Sequence, residues 1–328
     1  MRHPSAAAAL LASAVIGGLG LPAAAASASA GSPEARAAWV PSCYDDEQGE
    51  QYACGPWHLI MRDGRRLTVR DTFGVRIGAK GGKVRASGAF AISGDGRTIA
   101  YERAHDHRVV VRSAAGGPVR ELPGALSPSS ARTKGLTLIL SHTGDRILVA
   151  RAGTRRVLTL ATGRITELPA TGDPQGFSGD GDEVYATRDL SDSTKWLYAY
   201  GLDGSVIKKS APQFVANAFA TALSPDGHTV AAVSSGTLDR KRPPRLRTYD
   251  LETGRLSEAV DLPVTADSPP FAAGWTPDGK VVVHAYSSDY GKPSVVRVLT
   301  VDPGTGEAAR TDTYKVAADD PVILFPGE

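Results

Sequence analysis

A chain of 328 residues suits two ordinary domains or one large all-β ring, and hydrophobic residues at 41% supply a substantial core. The formal net charge of +2 provides no basic field, which excludes nucleic acid and anionic lipid as general partners.

The chain begins MRHPSAAAALLASAVIGGLGLPAAAASASA. Arg2 and His3 form a short basic region, Ala6 to Leu21 an apolar stretch, and Ala28-Ser29-Ala30 the small residues that signal peptidase requires. A membrane anchor is the competing reading, but this stretch is rich in Ala and Gly and short of the about 20 strongly apolar residues of a span. The expectation is a signal peptide over residues 1–30, cleaved near Gly31, with no cysteine at the junction for lipid attachment. No later segment is long and apolar enough to cross a bilayer.

Residues 31–56 follow as an N-terminal segment holding the only two cysteines, Cys43 and Cys54, in SCYDDEQGEQYAC. In an exported chain a close pair reads as a disulfide. Closing so short a loop stabilises a fold by about 3 kcal/mol in the chain-entropy model. Two free thiols would be an oxidation liability, and zinc would lack two ligands, since only His58 is near.

Residues 57–328 repeat one pattern. The turn [Ser/Thr]-x-[Asp/Thr]-Gly occurs five times, as SGDG at Ser93, SHTG at Ser141, SGDG at Ser178, SPDG at Ser224 and TPDG at Thr276. Short apolar runs flank each copy, such as AFAI before and TIAYE after the first. Ser or Thr bonds the backbone, Asp adds a side-chain bond and Gly accepts positive φ, which makes a tight hairpin. A second turn falls between the copies, ending at Gly117, Gly163, Gly204, Gly254 and Gly306, with an earlier one at Gly64 inside WHLIMRDGRRLTV. Two hairpins in each period of roughly 40–50 residues predict a four-stranded antiparallel propeller blade.

The copies resemble the WD40-like PD40 repeats of TolB-type β-propellers, whose turn reads [W/F]-S-P-D-G. GWTPDGKVVVHAY and TALSPDGHTVAAV match best, and SHTGDRILVA departs most, lacking Pro and Asp within the turn. The resemblance covers residues 57–315 and implies architecture more than function. Five complete blades are predicted, and a sixth, composite one closes the ring. In that blade WHLIMRDGRRLTV supplies two strands, PVILFP at least one, and residues 37–56 the remaining strand. Sharing a blade between the two ends removes free sheet edges.

Both recurring turns lie on one face of such a disc. The variable loops 103–108, 187–195, 234–245 and 286–293 lie on the other, which is the expected ligand face. His105-Asp106-His107 has metal-ligating chemistry, but no third ligand is fixed by spacing, so a solvated hairpin tip is the preferred reading. Asp180, Asp182 and Glu183 suggest calcium, yet the stretch lacks a twelve-residue calcium loop and Asp180 serves the turn. Arg240, Lys241, Arg242, Arg245 and Arg247 form the densest basic run, interrupted by Pro243-Pro244 and read as a solvated loop. Trp196, Tyr198 and Tyr200 alternate as in a strand and are expected between blades, with Trp275 at the repeat's aromatic position.

No catalytic constellation is visible. GFSGD at 176–180 fails the nucleophile-elbow pattern at its last position, and phosphate and dinucleotide fingerprints are absent. His58 and His284 fall on strands and specify no site by themselves. No catalytic residue, metal or cofactor is therefore expected. The leading expectation is a secreted, monomeric, non-catalytic propeller that binds a protein, peptide or cell-wall component at the cell envelope or outside it. The resemblance to TolB, an exported partner of envelope proteins, implies such a role. The alternative is a propeller enzyme of the polysaccharide-lyase or lactonase type.

Overall fold

The five polar turns set the geometry of the protein. In each, the Ser or Thr hydroxyl accepts the N–H of a residue at or just before the start of the next strand: Thr98 to Ser93 at 2.9 Å, Arg146 to Ser141 at 3.0 Å, Glu183 to Ser178 at 3.0 Å, Thr229 to Ser224 at 2.9 Å and Lys280 to Thr276 at 3.1 Å. The hydroxyls of Ser93, Ser178 and Ser224 donate in turn to Asp95, Asp180 and Asp226. SHTG achieves the same closure with a displaced carboxylate. Ser141 and Thr143 both donate to Asp145, one residue beyond the glycine, at 2.7 Å each.

This computed structural model describes residues 33–45, 50–77, 81–127, 135–151, 153–190, 194–239, 241–287, 292–316 and 322–328. The expected signal peptide lies outside the described residues, as do Arg240 and parts of the loops 187–195 and 286–293.

Six four-stranded antiparallel sheets form a six-bladed β-propeller. Blade 2 runs outward through Phe90–Ile92, Thr98–Glu102, Val109–Ser113 and Arg120–Glu121. Blade 3 uses Leu136–Leu140, Arg146–Arg151, Thr154–Thr159 and Ile165–Leu168, and blade 4 Asp173–Phe177, Glu183–Asp189, Lys195–Gly201 and Val206–Ser210. Blade 5 uses Ala220–Leu223, Thr229–Ser234, Arg245–Asp250 and Val260–Asp261, and blade 6 Pro270–Trp275, Val281–Ser287, Val295–Asp302 and Glu307–Lys315.

Blade 1 is composite. Val322–Leu324 is its first strand, and Ala35–Val40, Trp57–Met61 and Arg66–Val69 complete it. Ala38 faces Leu324 on one side and Leu59 on the other. The strand expected within residues 37–56 thus starts at Ala35, inside the segment that precedes the repeats. Arg36 latches this blade to blade 6 through Asp312 at 3.3 Å, and Tyr314 donates to the Arg36 carbonyl at 3.0 Å.

One hydrophobic cluster fills each of the six gaps between blades. Val230 and Ala232 face blade 4, whereas Ala231 and Val233 face blade 6. Successive side chains of a strand point to opposite faces, so a strand between two blades buries both sets and reads as an unbroken apolar run. Tyr198 and Tyr200 stack at 5.6 Å in the gap between blades 3 and 4, with Trp196 packed against the same cluster. Trp275 donates its indole N–H to the Ala222 carbonyl of blade 5 at 3.0 Å, tying neighbouring inner strands together.

Among the described residues two hairpins stand outside the blades. Ser42–Asp45 pairs with Glu50–Ala53, and the Cys43–Cys54 disulfide closes that hairpin with a Cα–Cα separation of 5.6 Å. Phe73–Ile77 pairs with Lys83–Ser87 between blades 1 and 2. Arg76 anchors the second hairpin, because its buried guanidinium pairs with Glu102 of blade 2 at 2.6 Å. Among the described residues no helix is long and apolar enough to cross a membrane.

Candidate functional site

Strand order divides the disc into two faces. Chain direction places the five polar turns and the second set of glycine turns on one, and the described ends of the remaining connections on the other.

On the tight-turn face the turns of successive blades converge. Asp95 donates its N–H to the His142 carbonyl at 2.8 Å, and His142 lies in the fields of both Asp95 and Asp278. A Cβ on Gly179 would stand 2.7 Å from Pro225 and 3.1 Å from the Thr276 carbonyl. Below these turns lies a cavity of about 270 Å³, lined among others by Arg36, Arg62, His142, Trp275, His284, Asp312 and the Pro326-Gly327 segment. That segment reaches into the channel: Gly327 donates to the Ile92 carbonyl of the neighbouring blade 2 at 2.9 Å, and a Cβ on Gly176 of blade 4 would stand 3.6 Å from the Gly327 carbonyl oxygen.

Several polar groups that line this cavity are already paired. Glu34 takes Arg62 and Arg97 at 2.9 Å each, and Arg36 takes Asp312. Ser178, from the failed elbow sequence, gives its hydroxyl to Asp180 at 2.7 Å. His284 stacks on Phe325 with ring centroids 4.5 Å apart, and burial, aided by Arg62, pushes its pKa down to about 3. Glu328 accepts the Phe325 N–H at 2.8 Å, and burial pushes its carboxyl up to about 7. The arrangement holds a neutral imidazole and a neutral-range carboxyl but aims neither at a nucleophile.

The opposite face carries the variable loops and both extra hairpins. In the blade 2 loop, Arg103 binds Asp106 and Glu121, and the Arg103 hydrogen bond holds the Asp106 carboxyl down to about 2. His105 reaches Asp106 at 3.7 Å, whereas His107, at φ 59°, turns to Glu102 at 3.1 Å. The two imidazoles therefore address different carboxylates. Among the described residues no three His, Cys, Asp or Glu side chains gather as a metal site.

Other sequence candidates are also engaged. Asp182 pairs with Arg146 at 2.7 Å, and burial raises the Glu183 carboxyl. In the basic run, Arg245 pairs with Asp261 at 2.7 Å, and Arg247 donates to the Ser257 carbonyl at 2.6 Å while lying over Phe214. His58 stacks on Trp39 at 4.4 Å and contacts Thr68 at 3.0 Å, which commits it to blade 1.

An open groove of about 680 Å³ lies on the loop face between blades 3 and 4. Arg151, Arg155 and Arg188 line it, together with Gly153, Gly172 and Asp173. The sequence reading passed over these three arginines. They are scattered over two blades, and only strand pairing brings them together.

No family model and no curated protein matches the sequence. The fold defines a class, the six-bladed propeller of four-stranded antiparallel blades, and TolB and WD40 propellers are among the solved structures similar to it. The TolB structure from Agrobacterium tumefaciens is 14% identical over 87% of this chain and 91% of that chain, with a TM-score of 0.47. Hydrazine synthase from Kuenenia stuttgartiensis is 17% identical over 68% of this chain and 64% of that chain, with a TM-score of 0.42. The Swd1 propeller domain of Myceliophteria thermophila is 16% identical over 73% of this chain and 70% of that chain, with a TM-score of 0.41.

Proposed function

We propose that the protein is an exported, non-catalytic scaffold whose loop face binds a protein, peptide or cell-wall component. One observation carries this reading. Of the ten large hydrophobic side chains exposed among the described residues, seven belong to the loop face: Tyr44, Val75, Ile77, Phe219, Leu238, Phe271 and Val322. The other three, Val119, Ile165 and Val206, sit beside the glycine turns at the outer strands. Apolar surface gathered on one side of a rigid frame is what an interaction face requires. The turns on the other side are tied to one another, leaving that face less free to adapt.

The Cys43–Cys54 disulfide supports export, because such bonds persist in oxidising compartments. N-terminal sequencing of the protein recovered from culture medium checks this part. A chain starting near Gly31 is expected, and an uncleaved chain retained in cells contradicts it.

Binding is tested by affinity capture from the native secretome with two sets of alanine variants. Replacing Tyr44, Phe219, Leu238 and Phe271 should abolish retention of the captured component. Replacing Val119, Ile165 and Val206 should leave it intact. The reverse pattern would place the interaction on the tight-turn face and end the reading.

A further inference from the structure

We propose that the groove between blades 3 and 4 is an oxyanion site, which holds a carboxylate or phosphate group of a ligand on the guanidinium of Arg155. This goes beyond the apolar loop face and stands or falls separately from it.

The groove floor is made of small residues, including Gly135, Ala150, Gly153 and Gly172, so a ligand can approach the backbone closely. Among the described lining residues the carboxylate is Asp173, set against the guanidinium groups of Arg155 and Arg188. Positive charge is therefore in excess within a concave space, where low-dielectric walls focus the field.

Arg155 is the built part of the site. It lies on the strand Thr154–Thr159 and is only 8% exposed. Its Nη1 donates to the carbonyls of Pro169 at 3.1 Å and Thr171 at 2.6 Å. Tyr200 donates to the same Thr171 carbonyl at 2.9 Å, and Gly172, at φ +78°, lets the chain turn against the Thr187 carbonyl. These bonds fix the plane of the guanidinium before any ligand arrives.

The other edge of the fork remains available. Nε and Nη2 of Arg155 have no partner among the described residues, and neither is sealed from solvent. Two parallel N–H groups on one edge match a carboxylate or phosphate bidentately. Burial lowers the pKa of this guanidinium, with Tyr200 and Asp173 acting in opposition, so the cation is partly desolvated without a carboxylate in contact. An incoming anion supplies the missing counter-charge. Arg188, exposed on the strand Glu183–Asp189, and Arg151, which donates to the Ser127 carbonyl at 3.1 Å, flank that position.

The test is a titration of the purified full chain with inorganic phosphate and, separately, with acetate, followed by calorimetry. One saturable site with a dissociation constant on the order of millimolar is expected. Arg155→Lys keeps the charge but removes the fork, and Arg188→Ala removes a flank; each should weaken binding by about tenfold. Asp173→Asn should tighten it. Arg188 and Asp173 are exposed, so unchanged thermal unfolding of those two variants separates loss of the site from loss of the fold. Tighter phosphate binding points to a phosphate-bearing ligand, and tighter acetate binding to a carboxylate-bearing one. No saturable binding of either anion, or equal affinity in Arg155→Lys, overturns the proposal.

Discussion

A Cβ on Gly144 would stand 2.6 Å from the Thr98 side chain of the neighbouring blade. The glycine that ends each turn therefore does two things where blades meet: it takes positive φ, and it lets one turn lie against the previous blade. Gly96 lies against the Ala35 backbone, Gly181 against Ser141 and Arg146, and Gly227 against Glu183. Gly279 of blade 6 has positive φ, at +79°, but nothing within 4 Å.

This separates two costs. Gly279→Ala should lose only the left-handed backbone penalty, roughly 1–2 kcal/mol. Gly144→Ala and Gly96→Ala should lose that and a further amount of about 1–3 kcal/mol for overpacking against a neighbour. Urea denaturation of the three variants checks the order, and equal losses would show that the turns do not bear on one another.

Asp145 should behave as a turn carboxylate although it lies outside the four-residue motif. It accepts from Ser141 and Thr143 at 2.7 Å each. Asp145→Ala should destabilise the protein by about 1–3 kcal/mol, from two hydrogen bonds of about 0.5–1.5 kcal/mol each. Thermal unfolding beside Asp95→Ala gives the comparison, and a neutral Asp145→Ala would remove it from the turn.

Acid should destabilise the protein through His284. Burial holds its folded-state pKa near 3, against an ordinary value of 6.5. Between those values the unfolded chain binds a proton that the folded chain refuses, so stability is full above pH 6.5 and falls as pH drops toward 3. Glu328 acts in the opposite sense. Its raised pKa makes a contribution that is present below 4.5 and lost as pH rises through about 7. Melting temperature measured from pH 3 to 8 should flatten on the acid side in His284→Phe, which keeps a ring against Phe325. An unchanged acid limb would contradict a neutral, buried His284.

Reducing the Cys43–Cys54 bond should loosen the hairpin that joins two strands of the closing blade. Cys43→Ser with Cys54→Ser should lower stability by up to about 3 kcal/mol, read from denaturant midpoints. Native protein should show no titratable thiol until unfolded and reduced.

The blades were legible because their turn chemistry is local: Ser, Asp and Gly within five residues carry the whole hairpin instruction. The strand Ala35–Val40 was legible only by elimination, since ARAAWV shows no repeat of its own. The hairpin of Phe73–Ile77 and Lys83–Ser87 left no trace in the pattern, because its exposed Val75 and buried Arg76 invert ordinary alternation. SHTG looked like a degenerate copy because the acceptor had moved one position past the glycine. Arg155 could not be distinguished within TRRVLT, as its meaning comes from the carbonyls of Pro169 and Thr171, which only the packing of blades 3 and 4 supplies. The proposed interaction face is likewise assembled from loops far apart in sequence, and no short motif spans it.

The proposed interaction face is tested most directly by hydrogen exchange of the protein alone and with the component captured on it. The account predicts new protection at the loop-face ends, around residues 42–45, 73–77, 219–220, 234–239 and 270–272. Protection confined to the turns at 93–96, 141–145, 178–181, 224–227 and 276–279 would contradict it.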